Sequence, residues 1–452
     1  MALFNLPLAL WRRLVLIGEA IAALALLAGN GFLALFARGG TFGSRIAGVF
    51  TSPAGQRRAF AVLRLFQPNL VLTRALVTAY QNSGTAVITR RSDVADVLTR
   101  DADFGVVYGP RMEMITGGEN FFLGMQDTPR YTRDTSNMRL AMRREDVAEI
   151  TSPFVAANAE ALVSQAAGRI DVPQMLTLPV AARLLDHYFG TPGPSEKEMV
   201  DWTTTLFWYL FIDLKADPAL DAKAQLAAAA FRDWLDTCIA TRKAERVQRG
   251  DVLGRCLTMQ AGGLPGMTDL DIRNNLIGLL IGELPTTSAA ANLALDELLD
   301  RPSELEAAQA AARADDDALF AAYVFEALRF RPLNPVIYRR AFRDAVIAPG
   351  TLRARHIRQG TMVMASNLSA MFDPLFVPAA ARFRVDRPWE TYMLWGHGMH
   401  SCFGAHLNRA NLPGILKPLL RRNGLRRAGG APGRIDTQGT PFPVHLHLEF
   451  EP

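Results

Sequence analysis

Thirteen residues near the C-terminus, Leu394–His406 (LWGHGMHSCFGAH), surround one cysteine, Cys402, with the turn formers Gly396, Gly398 and Gly404. The stretch that follows, AHLNRANLPGILKPLLRR, has helical period. This places a thiol on a tight loop at a helix N-terminus. The helix dipole and unpaired backbone N–H groups there favour the thiolate, the form that binds a soft metal. A second stretch, Asn274–Asn292 (NNLIGLLIGELPTTSAAAN), is an apolar helix with Glu283, Pro285, Thr286 and Thr287 in its middle. Pro285 offers no N–H to the carbonyl of Ile281, so the helix is expected to open there, with the threonine hydroxyls bonding to the freed backbone. A third stretch, Ala321–Pro332 (AAYVFEALRFRP), puts Glu326 and Arg329 three residues apart on one helix face among apolar neighbours. Such a pair is expected to be buried with fixed partners.

A single thiolate with an open position opposite suits iron-protoporphyrin IX, haem b. The cysteine stretch resembles the haem-binding loop of the cytochrome P-450 superfamily, F-x-x-G-x-[RH]-x-C-x-G. Gly398, His400, Cys402 and Gly404 match, and Trp395 stands in place of the phenylalanine. Glu326 and Arg329 match the E-x-x-R pair of the same superfamily. The Asn274–Asn292 helix aligns with the distal helix pattern [AG]-G-x-[DE]-T, where Gly282 and Thr286 match, Glu283 replaces the second small residue and Pro285 replaces the acid. In the stretch LGMQDTPRYTRDTSNMR, Asp127 and Pro129 match D-x-P-x-H-x-x-x-R, while Tyr131 stands for the histidine and Thr135 for the arginine.

The resemblance implies a mainly α fold with a small β-rich region, the triangular prism of that superfamily, over residues 39–452. It implies that Cys402 ligates iron, that Tyr131, Arg133 or Arg139 substitutes for the missing histidine and arginine at one haem carboxylate, and that Arg339 or Arg340, with Arg339 preferred, and His400 serve the carboxylates with Tyr338 as a further donor. The implied reaction is a monooxygenation, the hydroxylation or epoxidation of a small, apolar, lipid-like substrate by dioxygen. Electrons would come from a separate ferredoxin or reductase, since the chain has no nucleotide-binding glycine signature, docking near Arg409, Lys417, Arg421 and Arg422. Splitting dioxygen requires protons, with Thr286 expected to hold a relay water and Glu283 to supply them. Glu283 lies two residues before the usual acid, about 200° around a regular helix. Facing away, it would leave a site suited to an already formed O–O bond. That gives the rival reading, a haem-thiolate peroxygenase or hydroperoxide isomerase acting on fatty-acid hydroperoxides, beside a non-catalytic haem sensor.

The elements that must position these residues are read from pattern and composition. The chain has 452 residues, 49% hydrophobic and 21% charged, with no linker dividing it, so one large domain is expected. The net charge of +5 is spread over scattered arginine pairs, and nucleic acid is not indicated. Three cysteines without metal-type spacing fit a reducing, cytoplasmic setting. Residues 1–38 form a hydrophobic segment. Its core, Leu14–Phe36, follows Arg12 and Arg13 and reads either as a membrane span or as an interfacial helix. Gly84–Ile88 should be a strand, followed by a helix capped by Ser92 and Asp93. The glycines between Phe104 and Gly118 suggest a loop, and the resemblance implies that Phe104, Tyr108 and Met112 line the pocket. Trp202–Ile212 is apolar on all sides, as a core helix or a lid. The chain closes on GTPFPVHLHLEF, a turn and an alternating strand whose tip, Thr440–Pro443, the resemblance points at the pocket.

Overall fold

A computed structural model describes residues 7–36, 41–245 and 249–452, so parts of the expected 1–38 segment (1–6 and 37–38) lie outside the described residues. Sixteen α-helices run in chain order among the described residues. They are α1 Leu8–Phe36, α2 Phe42–Thr51, α3 Pro53–Phe66, α4 Arg91–Thr99, α5 Gly109–Thr116, α6 Pro129–Ala141, α7 Ser152–Gln165 and α8 Leu178–His187. There follow α9 Glu196–Phe207, α10 Pro218–Glu245, α11 Val252–Ala261, α12 Asp269–Leu299, α13 Pro302–Arg313, α14 Asp317–Phe330, α15 Asn367–Met371 and α16 Ala405–Leu420. The strands are short: β1 Asn69–Leu72, β2 Thr85–Ile88, β3 Phe104–Gly105, β4 Arg169–Asp171, β5 Ile337–Ala341, β6 Ala345–Ile347, β7 Arg355–Ile357, β8 Met362–Ala365, β9 Arg426–Arg427 and β10 His447–Glu449.

Two compact units interleave along the chain. The first comprises Met1–Val77, Gln81–Gly105 and Arg329–Ser401. Its sheet has the order β1-β2-β8-β5-β3, antiparallel except for the β2–β8 pair. Val94, Val97 and Leu98 of α4 close over this sheet with Ile88, Phe104, Val363 and Leu368, all almost wholly buried. The strand expected at Gly84–Ile88 is β2. The helix after it begins one residue before Ser92, at Arg91, with Arg90 as an N-cap whose side chain makes no capping bond. Ser92 and Asp93 therefore do not cap. Asp93 instead accepts from Asn69 and Arg353, long-range partners that outcompete a local cap.

In the same unit α1 lies along α3. Leu16, Ala20, Ala23 and Leu27 recur on its buried face, and Arg12 donates to the carbonyl of Leu375 at 2.9 Å. Burial raises the pKa of Glu19 on this face, against the lowering charge of Arg64 of α3. The opposite face exposes Ile17, Ile21, Leu24, Phe32, Leu35 and Phe36.

The second unit comprises Thr78–Tyr80, Val106–Leu328 and Cys402–Pro452, with its own sheet in the order β4-β10-β9. The expected loop from Phe104 to Gly118 is instead β3 followed by α5. Pro110 preorganises the first turn of α5, and Gly117, with φ +85°, closes it in the left-handed region. Met112 is wholly buried, and Tyr108 packs edge-on against Tyr80 and Phe211. Trp202–Ile212 continues α9 into a π-helical turn, Trp208–Ile212. At the centre of the unit α12 runs without interruption through Pro285, from a capping box made by Thr268 and Asp271. The expected opening at Pro285 does not break the helix.

Candidate active site

Cys402 sits where α16 begins, with Gly404 as the N-cap. The backbone N–H groups of Gly404 and Ala405 both favour its thiolate. The residue has exposed surface, yet protein surrounds it so closely that burial dominates its acidity and pushes the thiol up to about 11. The two observations agree if that surface lines a recess enclosed by the fold. The negative field of Glu283 adds to the rise, while Arg139 opposes it. A coordinated cation reverses this balance, because a ligating thiol is deprotonated outright. The other cysteines offer no comparable thiol: burial raises Cys238, and Cys256 is buried and pushed up to about 12.

Between Asn274 and Asn292, α12 is buried all round except for one strip, Gly282, Thr286 and Ala290, one turn apart. A Cβ at Gly282 or at Gly404 would meet no protein atom within 4 Å. A flat ligand could approach the backbone at both places. A thiolate donor with small residues around it fits haem better than a close-packed core would.

The Thr286 hydroxyl donates to the Gly282 carbonyl one turn back, leaving its oxygen lone pairs to accept from water. Glu283 faces elsewhere. Its carboxyl Oε1 lies 3.1 Å from the hydroxyl of Thr287, which lies 2.8 Å from Oδ1 of Asn408 on α16. The side chain of Glu283 thus joins Thr287 rather than Thr286, as residues four apart on a helix do. One hydroxyl hydrogen cannot serve two acceptors. The chain closes when Glu283 is protonated, donating to Thr287 Oγ1, which then donates to Asn408 Oδ1. Burial supplies the reason for that proton, raising the carboxyl to about 7 against the opposing Thr287 bond.

The haem-carboxylate candidates separate. Tyr131, on α6, gives its backbone N–H to the Thr128 cap. Arg133 turns to the surface, pairing with Asp134 at 2.7 Å and lying 3.9 Å from Asp271, along a groove shared with Glu119 and Thr268. Arg139 is the α6 cation that reaches the cysteine loop: its Nη1 donates to the Phe403 carbonyl at 3.1 Å, and its guanidinium lies 3.7 Å from the Phe403 ring centre. Arg139 was among the expected donors, and it lies two turns beyond Tyr131 on the same helix.

In the first unit, Arg339 is buried on β5 and donates to the Tyr338 carbonyl at 3.0 Å. Burial, and then the charge of Arg339, push His400 down to about 4, so it is neutral at physiological pH, a donor rather than a cation. Gly398, with φ +76°, admits no side chain, because a Cβ would lie 2.2 Å from the Leu98 carbonyl. Trp395 stacks on Trp389 at 5.3 Å. Glu326 and Arg329, one turn apart on α14, are fully buried as expected. Arg329 donates to the carbonyls of Met371, Ala380 and Arg382. Of the basic residues expected to receive an electron donor, Lys417 and Arg421 pair with Asp315, and Arg422 with Glu160.

Comparison with known proteins adds a family to this geometry. A family model described as cytochrome P450 matches residues 77–438. The cyclomarin C epoxidase of Salinispora arenicola is 28% identical over 66% of this chain and 73% of its own length. The mycinamicin IV hydroxylase/epoxidase of Micromonospora griseorubida is 28% identical over 74% of this chain and 81% of its own. Among solved structures, P450BioI in complex with an acyl carrier protein ligated to hexadec-9Z-enoic acid superposes with a TM-score of 0.74 at 20% identity, covering 88% of this chain and 99% of that one.

Proposed function

On the premise that the chain belongs to the cytochrome P450 family, whose members are haem-dependent monooxygenases, we propose that it hydroxylates or epoxidises an apolar, lipid-like substrate with dioxygen and electrons from a separate ferredoxin or reductase. We read residues 39–452 as one haem-thiolate domain. The observation that carries the reading is that Cys402, at the start of α16, keeps exposed surface although protein atoms crowd round it, in the same unit as the one open strip of α12. When bound, haem b supplies the centre at which dioxygen is reduced and one oxygen atom is passed to carbon.

The rest is work for the chain's own residues. Cys402 would hold the iron as a thiolate, deprotonated on coordination, with the N–H groups of Gly404 and Ala405 stabilising part of its charge. Tyr131, Arg139, Arg339 and His400 are the donors proposed for the haem carboxylates, with Arg133 less well placed because it turns to Asp134. Thr286 accepts a water on the open strip. Glu283, protonated near neutrality, is the proton reserve, and Thr287 and Asn408 hold that proton in place. The small residues of the strip leave room for an apolar substrate.

The displaced acid at Glu283 is also the reason to keep the second reading, a hydroperoxide isomerase. Product formation is expected to require NAD(P)H, a redox partner and dioxygen together, and Thr286→Ala is expected to divert electrons to hydrogen peroxide. Product from a fatty-acid hydroperoxide alone, unaffected by Thr286→Ala, would instead establish the isomerase.

We further propose a cytoplasmic enzyme attached to a membrane surface through α1. Of the two readings of this segment, the interfacial one is supported by the bonding of its inner face to α3 and Leu375, which a span would have to give up. Phe32→Asp with Leu35→Asp is expected to abolish co-sedimentation with anionic vesicles while leaving haem content unchanged. Undiminished vesicle binding would reject the attachment.

A further inference from the structure

Two histidines and a carboxylate converge on one face of the β4-β10-β9 sheet, apart from the residues assigned to haem. In HLHLE, strand alternation sends Leu446 and Leu448 to the buried side, 0% and 1% exposed, and both imidazoles to the other. Asp171 on β4 is the cross-strand neighbour of His447 in the antiparallel register, so its carboxylate shares that face. His445 Nδ1 lies 2.6 Å from Asp171 Oδ2, and His447 Nε2 lies 3.9 Å from the same oxygen. The two rings are nearly parallel, at 12° and 5.9 Å between centres. One potential ligand atom from each of the three residues falls within 4.8 Å of the other two. Asp171 is itself buried and anchored, its Oδ1 accepting from the Leu446 N–H at 3.0 Å. Its second oxygen is left facing the imidazoles.

We propose that Asp171, His445 and His447 bind one divalent transition-metal ion of the zinc type. Ligand atoms about 2.0–2.1 Å from a tetrahedral ion stand roughly 3.3 Å apart, so the 2.6 Å His445–Asp171 contact opens by about 0.7 Å and the half-exposed His447 ring turns inward to complete the set. Two imidazoles and one carboxylate select zinc-like ions over magnesium and calcium, which prefer oxygen throughout. The ion takes the place of the hydrogen between His445 and Asp171; that hydrogen moves from Nδ1 to Nε2 of the same ring, freeing a lone pair for the metal. The open side of His447 leaves a fourth position for water. Bound there, the ion ties β4 to β10 across the sheet. It also steadies the preceding turn, where Phe442 rests on Phe207 at 5.9 Å between ring centres.

The test uses the haem-loaded full chain. Calorimetric titration with zinc is expected to give one equivalent of binding and a higher Tm, with no binding heat from calcium or magnesium. His447→Ala and Asp171→Asn are each expected to weaken zinc binding by about tenfold or more. His356→Ala, at the separate His356–Asp344 pair, is expected to leave it unchanged. The haem spectrum, read on the same samples, separates ion binding from haem loss. Absence of zinc binding, or unchanged affinity in His447→Ala, overturns the proposal.

Discussion

Cys402→Ser is expected to abolish the red-shifted absorption band that a thiolate-ligated haem gives when reduced under carbon monoxide, and substrate turnover with it. A serine hydroxyl is a far weaker acid than a thiol, stays protonated, and is a poor ligand for iron. The effect should be specific. Cys238→Ala and Cys256→Ala remove thiols whose burial keeps them protonated, and both are expected to keep the band and the activity. Retention of the band in Cys402→Ser would refute the haem-thiolate reading as a whole.

The second large effect is expected at Glu283→Gln. The amide can still donate to Thr287, so the polar chain to Asn408 stays closed, but no proton can be released. Product formed per NAD(P)H consumed is expected to fall by about a hundredfold or more, with the electrons recovered as hydrogen peroxide. In the parent enzyme the donor is present below about pH 7 and lost above it, so coupling should decline as pH rises through neutrality. Stability should move the same way. The native carboxyl, raised from 4.5 to about 7, binds its proton more tightly than the unfolded one. Native stability therefore falls between those pH values and stays lower above them. Glu283→Gln removes this loss and is expected to be more stable than the parent at pH 8, by up to about 3 kcal/mol, and nearly equal at pH 4.5. Denaturation at the two pH values measures the difference, and equal coupling in parent and variant would remove Glu283 from the relay.

The sequence made some parts of this site legible and hid others for identifiable reasons. The Cys402 loop could be read because its glycines and the helix that follows are contiguous, and Gly398 is indeed required by the approach of the Leu98 carbonyl. The burial of Glu326 and Arg329 followed from their apolar neighbours. The partner of Glu283 was half legible: Thr287 lies four residues on along the same helix, but Asn408 comes from α16, and nothing local connects the two. Arg139 was eclipsed by Arg133, which lies closer to the matched motif but turns to Asp134 and Asp271. The helix α5 was mistaken for a loop because glycine density was counted without position. Gly109 and Pro110 open that helix and Gly117 closes it, so the same residues that suggest irregularity mark its ends.

The hydrogen-bonded chain through Thr287 has a consequence for motion. The proton that Glu283 would surrender to chemistry is also the one that lets Thr287 donate to Asn408 and so fasten α12 to α16. Once it leaves, the carboxylate claims the Thr287 hydrogen, and two oxygen atoms, on Thr287 and Asn408, face each other across the helix contact with none between them. Each catalytic cycle would therefore unlatch the junction of these two helices and refasten it on reprotonation. The loosening would keep time with proton supply, and the fold would be at its most yielding when the reserve is empty.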